Sequence, residues 1–103
     1  MSPEHVKFDL EKYCYVNEKG EKLKTEFEYL KGKKAITVVA KHGEHVENVD
    51  IILLPSLAWK QVCGDLNEVD KIRLKIIEEC GLRDEFKDQL MFMEHLYRTR
   101  VKK

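Results

Sequence analysis

The distribution of apolar and polar residues in the first half of the chain predicts β-strands. Residues 22–29 alternate between charged side chains and apolar or threonine ones, which is typical of a strand with one face on a core. Residues 34–41 and 49–54 are apolar at consecutive positions and rich in β-branched residues, which predicts strands covered on both faces. Residues 6–16 also alternate, with one slip of phase that a β-bulge would explain. We therefore expect a four-stranded antiparallel sheet over residues 6–54.

Beyond this sheet the apolar residues recur at helical spacing. Ser56 is a plausible N-cap, and the pattern favours one continuous helix over residues 56–80. Gly64 lies inside this helix, where glycine costs about 1 kcal/mol relative to alanine. A capping box of Asp65 with Glu68 would allow the helix to restart after that glycine.

Residues 83–100 predict a second helix with more apolar surface than one neighbour needs. Its main apolar stripe consists of Phe86, Leu90, Met93 and Tyr97. Three further apolar residues lie off this stripe: Met91, Phe92 and Leu96. The excess favours a second contact, such as one with another subunit. Strands followed by helices predict a single α+β domain over residues 1–103, and a homodimer would bury more of its surface than a monomer.

Composition narrows the class of protein. A chain of 103 residues with 43% hydrophobic and 37% charged residues is globular and long enough for one core. Nineteen basic residues balance nineteen acidic ones, which argues against a general polyanion binder but leaves room for a local basic face. The three cysteines form no C-x-x-C pair, so reduced intracellular thiols are expected. No apolar leader and no membrane-length run is present, so we expect a cytoplasmic or nuclear protein without a membrane partner.

Candidate chemistry is sparse. His42 and His45 flank Gly43-Glu44 and could ligate zinc, but no further ligand lies nearby in the sequence. Cys63 follows the helical stripe and is typical of a small buried hydrophobe rather than a nucleophile. The sequence contains no glycine-rich phosphate loop and no paired catalytic carboxylate motif. We therefore expect no enzyme, no cofactor and no metal site.

In residues 53–70, LLPSLAWKQVCGDLNEVD, a predicted strand leads directly into a helix with a tryptophan in its first turn. A leucine precedes the tryptophan, and aliphatic and acidic residues follow it at fixed spacings; the positions are Leu54, Trp59, Val62, Leu66, Glu68, Val69 and Asp70. This pattern resembles the positive-cofactor-four transcriptional coactivators, which are small dimeric proteins that bind single-stranded DNA. The opening segment FDLEKYCYV is similar to that family's first strand at Phe8, Leu10, Lys12, Tyr15 and Val16. The likeness covers roughly residues 8–75 and leaves the helix at 83–100 without a counterpart.

The likeness implies a dimer that binds single-stranded nucleic acid on its sheet, but the family's stacking aromatics are missing. The family's F-K-G-K hairpin and the R-E-Y strand after it can be placed with the hairpin on residues 30–33 or on residues 18–21. The stacking positions then fall on Leu30 and His42, or on Glu18 and Leu30. Because base stacking is worth about 1–3 kcal/mol per base, this loss predicts weaker binding.

Two functions therefore stay open. The first is a module of the transcription-coactivator type that binds single-stranded DNA or RNA through a lysine-bearing sheet face, with Tyr29 as the stacking residue. The phosphate contacts would be Lys22, Lys24, Lys31, Lys33, Lys34 and Lys41. Trp59, Leu66 and Val69 would serve the core and the dimer. Glutamates accompany these lysines, so they could equally form a solvated face with compensated charge.

The second function is a protein–protein adaptor with the same fold that has lost most nucleic-acid binding. Its contact surface would be the second helix, around Met91, Phe92, Leu96 and Tyr97. The neutral net charge and the missing aromatics favour this function. The basic tail consists of Arg98, Arg100, Lys102 and Lys103. We expect this tail mainly to complement the C-terminal end of the helix dipole.

Overall fold

A computed structural model describes residues 5–101, and it shows an α+β fold with the strands first. The elements in chain order are β1 (Lys7–Asp9), β2 (Cys14–Val16), β3 (Glu26–Lys31), β4 (Ala35–His42), β5 (His45–Leu53), α1 (Leu54–Cys63), α2 (Glu68–Glu79) and α3 (Arg83–Val101). The expected α+β class is confirmed, but the single four-stranded sheet is wrong. The strands form two antiparallel sheets, one of β1 and β2 and the other in the order β3-β4-β5.

The slip of phase in residues 6–16 is a turn and not the predicted bulge. The Asp9 carboxylate accepts hydrogen bonds from the backbone N–H groups of Glu11 and Lys12, at 2.9 and 3.2 Å. The Tyr13 N–H donates to the Asp9 carbonyl at 2.7 Å, and Tyr13 adopts a positive φ of 56°. This aspartate turn reverses the chain and makes β1 and β2 a hairpin.

The predicted strand at 22–29 begins later than expected, at Glu26. The residues before it join the hairpin instead, because the Leu23 N–H donates to the Tyr15 carbonyl at 2.8 Å and the Thr25 hydroxyl accepts from the Tyr15 N–H. The connection between the strands predicted at 34–41 and 49–54 is also shorter in the structure, since only residues 43–44 separate β4 from β5. A bulge does occur, in β5 opposite Val38 and Val39.

The single helix predicted over 56–80 is wrong, because the chain breaks into α1 and α2. Helix α1 begins at Leu54 without a side-chain cap, so Ser56 is not its N-cap. It ends at Gly64, whose φ of 75° lies in the left-handed region that favours glycine. The capping box of α2 joins Asn67 to Asp70, not Asp65 to Glu68. The helix predicted at 83–100 is confirmed as α3, while Lys102 and Lys103 lie outside the described residues.

The three-stranded sheet has one covered side, which we call the core face, and one uncovered side, which we call the outer face. Residues opposite one another in the register share a face, so Tyr29, Val38 and Asp50 lie together on the core face. Buried residues from the hairpin, the sheet and all three helices form one cluster there: Tyr13, Ile36, Val38, Ile52, Leu54, Leu57, Ala58, Ile76, Ile77 and Phe86. The core-facing alternation predicted for Phe27 and Tyr29 is confirmed, because both pack against this cluster.

The helices extend the molecule beyond the sheet. Ile76 and Ile77 of α2 are buried in the core cluster, whereas α3 packs mainly along α1. The molecule measures 63 × 25 × 15 Å, and its radius of gyration is 16.5 Å. A compact domain of this length has a radius of gyration of about 13 Å. The elongated shape leaves both the outer face and much of α3 in solvent.

Candidate functional site

The lysines predicted to contact phosphate do not share one face of the sheet. Lys41 lies on the outer face, where its ammonium is 2.6 Å from a carboxylate oxygen of Glu28. The hydrogen bond with Glu28 raises the pKa of Lys41 and lowers that of the glutamate. Lys31 lies on the core side, and its ammonium donates to the Cys80 carbonyl just beyond α2, at 3.1 Å. Two of these cations are therefore already engaged within the fold.

The remaining predicted lysines lie at opposite ends of the sheet. Lys33 and Lys34 are exposed in the turn between β3 and β4. Lys22 and Lys24 are exposed where the chain enters β3, and the Lys24 carbonyl is 2.7 Å from Nδ1 of His42. The structure does not bring these four ammonium groups together.

Tyr29, the residue proposed to stack on bases, belongs to an aromatic cluster on the core face. The ring of Tyr29 is half-buried and stacks parallel to Phe27, with centroids 6.4 Å apart. Tyr13 stacks on Phe27 at 5.7 Å, and Tyr15 meets Phe8 edge-on at 5.5 Å. Burial, with the hydrogen bond to Glu47, raises the pKa of Tyr15 to about 12. These rings pack against one another and leave little free face for a nucleobase.

A polar network crosses the core between the sheet and α2. Arg73 binds Asp50 and Asp70, and Tyr13 donates its hydroxyl to Asp50 at 2.7 Å. Burial alone would raise the pKa of both aspartates. Hydrogen bonds outweigh burial and lower both pKa values, chiefly the bond from Arg73 for Asp50 and the bond from the Asn67 backbone for Asp70. No buried side-chain nitrogen or oxygen lacks a partner within residues 5–101. The charged and polar groups of this network are thus all paired with one another, and the network connects the sheet to α2.

Trp59 lies in an open groove between α1 and α3, which we call the α1–α3 groove. The groove has a volume of about 580 Å³ and is lined by Pro55, Ser56, Trp59, Lys60, Met93, Leu96 and Arg100. The Trp59 ring meets Tyr97 edge-on at 6.2 Å, and the Arg100 guanidinium sits 5.7 Å from the centre of the indole. The half-buried Trp59 therefore belongs to this surface, whereas Leu66 and Val69 pack on the core cluster as expected.

The adaptor residues predicted on the second helix fall on two sides of α3. Leu96 lines the α1–α3 groove, and Tyr97 contacts Trp59. Met91 and Phe92 point away from α1 and are 64% and 54% exposed. Because a helix turns by about 100° per residue, Met91 lies roughly opposite the groove, whereas Phe92 lies one turn before the groove residue Leu96. Asp88 and His95 share the side of Met91 and Phe92, so that side of the helix is only partly apolar.

The outer face of the sheet is a surface that the sequence pattern did not assign. Leu30 and Ile51 are 55% and 60% exposed, and the aliphatic side chains of Val46 and Leu53 are also in solvent. The consecutive apolar residues of 49–54 predicted a strand covered on both faces, yet the chain covers only one. The apolar run was the signal in the sequence for this face, which the aliphatic side chains share with Glu28, Lys41 and Asn48.

The residue types that bind metals are dispersed in residues 5–101. No cluster of three or more histidine, cysteine, aspartate and glutamate side chains that could hold a metal occurs in this range. His42 and His45 pair across the turn between β4 and β5. Cys63 is exposed at the end of α1, so the prediction of a buried thiol is wrong.

Within the described part of the chain, no helix combines the length and apolar character needed to cross a bilayer. Comparisons with protein families, with curated proteins and with solved structures find no match to this chain. The resemblance to the positive-cofactor-four coactivators therefore stays a prediction that rests on the residues named above.

Proposed function

We propose that the protein is a protein–protein adaptor that holds a segment of its partner in the α1–α3 groove. The observation that supports this function most is the position of Trp59, a large aromatic side chain that lines an open groove instead of the core. Tryptophan is enriched among the residues that dominate binding energy at protein interfaces. The groove volume of about 580 Å³ is also sufficient for several side chains of a peptide.

The charge of the groove favours an acidic partner segment. Its apolar floor is formed by Trp59, Met93 and Leu96, and its two charged lining residues, Lys60 and Arg100, are both basic. Lys60 already pairs with the buried Asp70 at 3.1 Å, although its side chain stays 43% exposed. Arg100 is therefore the main cation available to a partner. We infer an amphipathic segment that combines bulky apolar residues with carboxylates.

Binding of single-stranded nucleic acid, the first function expected from the sequence, ranks below the adaptor function as a proposal. Capture of a polyanion needs cations that follow its backbone, whereas the predicted lysines occupy both faces and both ends of the sheet. Tyr29, which would replace a missing stacking residue, packs in the aromatic cluster. The net charge of zero supplies no compensating long-range attraction.

The adaptor proposal can be tested with intrinsic fluorescence, because Trp59 is the only tryptophan in the chain. The probe is a synthetic amphipathic helical peptide with leucine and phenylalanine on one side and glutamate on the other. We expect a saturable blue shift of the Trp59 emission, with a dissociation constant in the micromolar range typical of small, transient interfaces. The same peptide with lysine in place of glutamate should bind at least about tenfold more weakly.

Two variants on α3 test whether the peptide that shifts the Trp59 emission binds in the α1–α3 groove. Arg100→Glu should abolish the shift, whereas Arg98→Glu should preserve it, because Arg98 lies on the other side of the α1–α3 contact beside Glu94. An unchanged emission with the acidic peptide, or an equal response to the lysine peptide, would overturn the proposal. Saturable quenching by oligo-dT in place of the peptide response would favour the nucleic-acid function.

A further inference from the structure

Lys60 on α1 borders two cavities of the molecule. It lines the α1–α3 groove, and it also lines a smaller cavity of about 120 Å³ between β5, α1 and α2. Ser56 borders the same two cavities and lies one turn before Lys60, on the same side of α1. These two residues therefore form a ridge between the cavities, and a long, flexible side chain on this ridge can reach either of them.

The partner of Lys60, the buried Asp70, has other donors. The Lys60 ammonium donates to Oδ2 of Asp70 at 3.1 Å, on the side of the smaller cavity. The Asn67 N–H donates to the same Oδ2 at 3.1 Å, and the Arg73 guanidinium donates to Oδ1 at 2.7 Å. Burial raises the pKa of Asp70, and the bonds from Asn67 and Arg73 oppose this more than the bond from Lys60 does. Both carboxylate oxygens therefore keep a hydrogen bond when Lys60 moves away.

Lys60 is also held more loosely than Arg73. Its side chain is 43% exposed, whereas that of Arg73 is 18% exposed. An ammonium group has three N–H donors, and within residues 5–101 Asp70 is the only acceptor that this ammonium binds. Because the four-carbon stem of lysine is flexible, the ammonium can turn towards the α1–α3 groove without a change in the backbone of α1.

The other cation of the groove lies on the opposite wall. Arg100 belongs to α3, and its guanidinium is 5.7 Å from the centre of the Trp59 ring. Lys60 directly follows Trp59 in the chain and lines the groove from α1. An apolar side chain that packs on Trp59 therefore has a basic residue on each wall, and carboxylates on both flanks of that side chain would find opposite charges.

We propose that Lys60 is a second residue that determines the specificity of the α1–α3 groove, and that on binding it exchanges Asp70 for a carboxylate of the partner. This inference rests on the adaptor function proposed above and specifies its partner further. The partner segment carries a bulky apolar residue for Trp59 and two carboxylates, one for Arg100 and one for Lys60. In the free protein Asp70 competes for Lys60, so it lowers the affinity of the groove for acidic segments.

Substitution of the two members of this ion pair should change the affinity in opposite directions. In titrations of Trp59 emission with the acidic peptide described above, Lys60→Met should weaken binding about fivefold, the upper range for an exposed ion pair. Asp70→Asn should strengthen binding about threefold, because it releases Lys60 to the groove. If Lys60 only joined α1 to α2, both substitutions should weaken binding. The double variant should bind like Lys60→Met alone, because Asp70 acts through Lys60.

Two controls separate the effect of the charge from other effects. A peptide with glutamine in place of glutamate should bind the wild type and Lys60→Met with equal affinity, because it offers no carboxylate to Lys60. Lys71→Met removes a lysine of α2 that is 60% exposed and pairs with Glu68, and it should bind the acidic peptide like the wild type. Circular dichroism shows whether Asp70→Asn keeps the fold.

The wild-type protein provides a test that does not depend on the folding of a variant. In protein labelled with ¹³C-lysine, the Lys60 ε-carbon resonance, assigned by its absence in Lys60→Met, should shift with the acidic peptide and not with the glutamine peptide. An unshifted resonance, unchanged affinity in Lys60→Met, or weaker binding by a folded Asp70→Asn would each overturn the exchange. If the acidic peptide shifts the Trp59 emission of the wild type and of Lys60→Met equally, the adaptor function survives and only this inference fails. If no peptide shifts that emission, both fail.

Discussion

The side chain of Arg73 on α2 donates hydrogen bonds to both carboxylate oxygens of Asp50 on β5. Its Nε is 2.8 Å from Oδ2 and its Nη2 is 3.0 Å from Oδ1, while Nη1 reaches Asp70 at 2.7 Å. The Tyr13 hydroxyl binds the same Asp50, so one carboxylate connects the β1–β2 hairpin, the sheet and a helix. Burial of these charges costs free energy that only the complete set of partners offsets.

Loss of the Arg73 guanidinium should destabilise the fold strongly. Arg73→Met keeps much of the side-chain volume but leaves Asp50 and Asp70 buried without their main partner, so we expect the free energy of unfolding to fall by about 3 kcal/mol. Urea denaturation followed by circular dichroism measures the change. The matched control is Lys71→Met in the same helix, because the Lys71–Glu68 pair is largely exposed and should contribute little. Equal, small losses of unfolding free energy in both variants would contradict this role of Arg73.

Acid should weaken the fold through the same two aspartates. Their folded pKa values are lowered, so their contribution is complete above the unfolded pKa of about 3.9 and is lost as pH falls towards the folded values. We expect the urea midpoint to drop between about pH 5 and pH 2. The urea midpoint of Asp50→Asn should be lower at neutral pH but should decline less over that range. The midpoint of Glu68→Gln, a change on the surface, should follow that of the wild type. A parallel decline in Asp50→Asn would exclude this carboxylate as a source of the acid sensitivity.

The break between α1 and α2 should depend on the backbone of Gly64. A Cβ at this position would meet no atom within 4 Å, so the cost of substitution arises from the φ of 75° and not from a clash. Gly64→Ala should lower the free energy of unfolding by about 1–2 kcal/mol, while Gly64→Asn should lower it less, because asparagine tolerates the left-handed region. Denaturant midpoints of the two variants measure the difference. If alanine proved as stable as glycine, the break would have another cause.

Single-stranded nucleic acid should bind weakly at best. In a fluorescence-anisotropy titration at low salt, labelled oligo-dT and oligo-rU should show no saturation below about 100 μM. Any residual binding should disappear at physiological salt and should be insensitive to Lys33→Glu with Lys34→Glu, because that turn lies at the opposite end of the sheet from Lys22, Lys24 and Lys41. Tight binding that falls steeply with salt and is lost in the double variant would instead support the coactivator-type function.

The parts of the fold that follow local rules were predictable from the sequence. Strict alternation placed Phe27 and Tyr29 on the core face, and helical spacing with a terminal glycine found the helices. The hairpin was missed because the chain turns at Asp9 to Tyr13 without the usual glycine or asparagine, and a tyrosine takes the positive φ. The glycine at position 64 is compatible with a break, but periodicity alone cannot tell a kinked helix from two helices with the same apolar stripe.

The site residues were harder to predict, because their roles depend on contacts between distant segments. Arg73 and Asp50 are 23 residues apart, and nothing in either local pattern indicates that they meet. Trp59 shares the apolar stripe of α1, so its position in a groove follows only from where α3 packs. The exposed aliphatics of the outer face were visible as a strand apolar on both faces, but the sequence could not show which face the single chain leaves bare.

The dispersal of the lysines has an electrostatic consequence. Lys34 and Lys41 lie at the two ends of β4, about 23 Å apart at the rise of a strand, whereas the Debye length in physiological salt is about 8 Å. Ionic screening therefore isolates the two ends from each other. A distant polyanion therefore meets two small, independent positive regions, and Glu28 partly neutralises the one at Lys41. The number of lysines in this half of the chain thus overstates the electrostatic attraction that this half exerts.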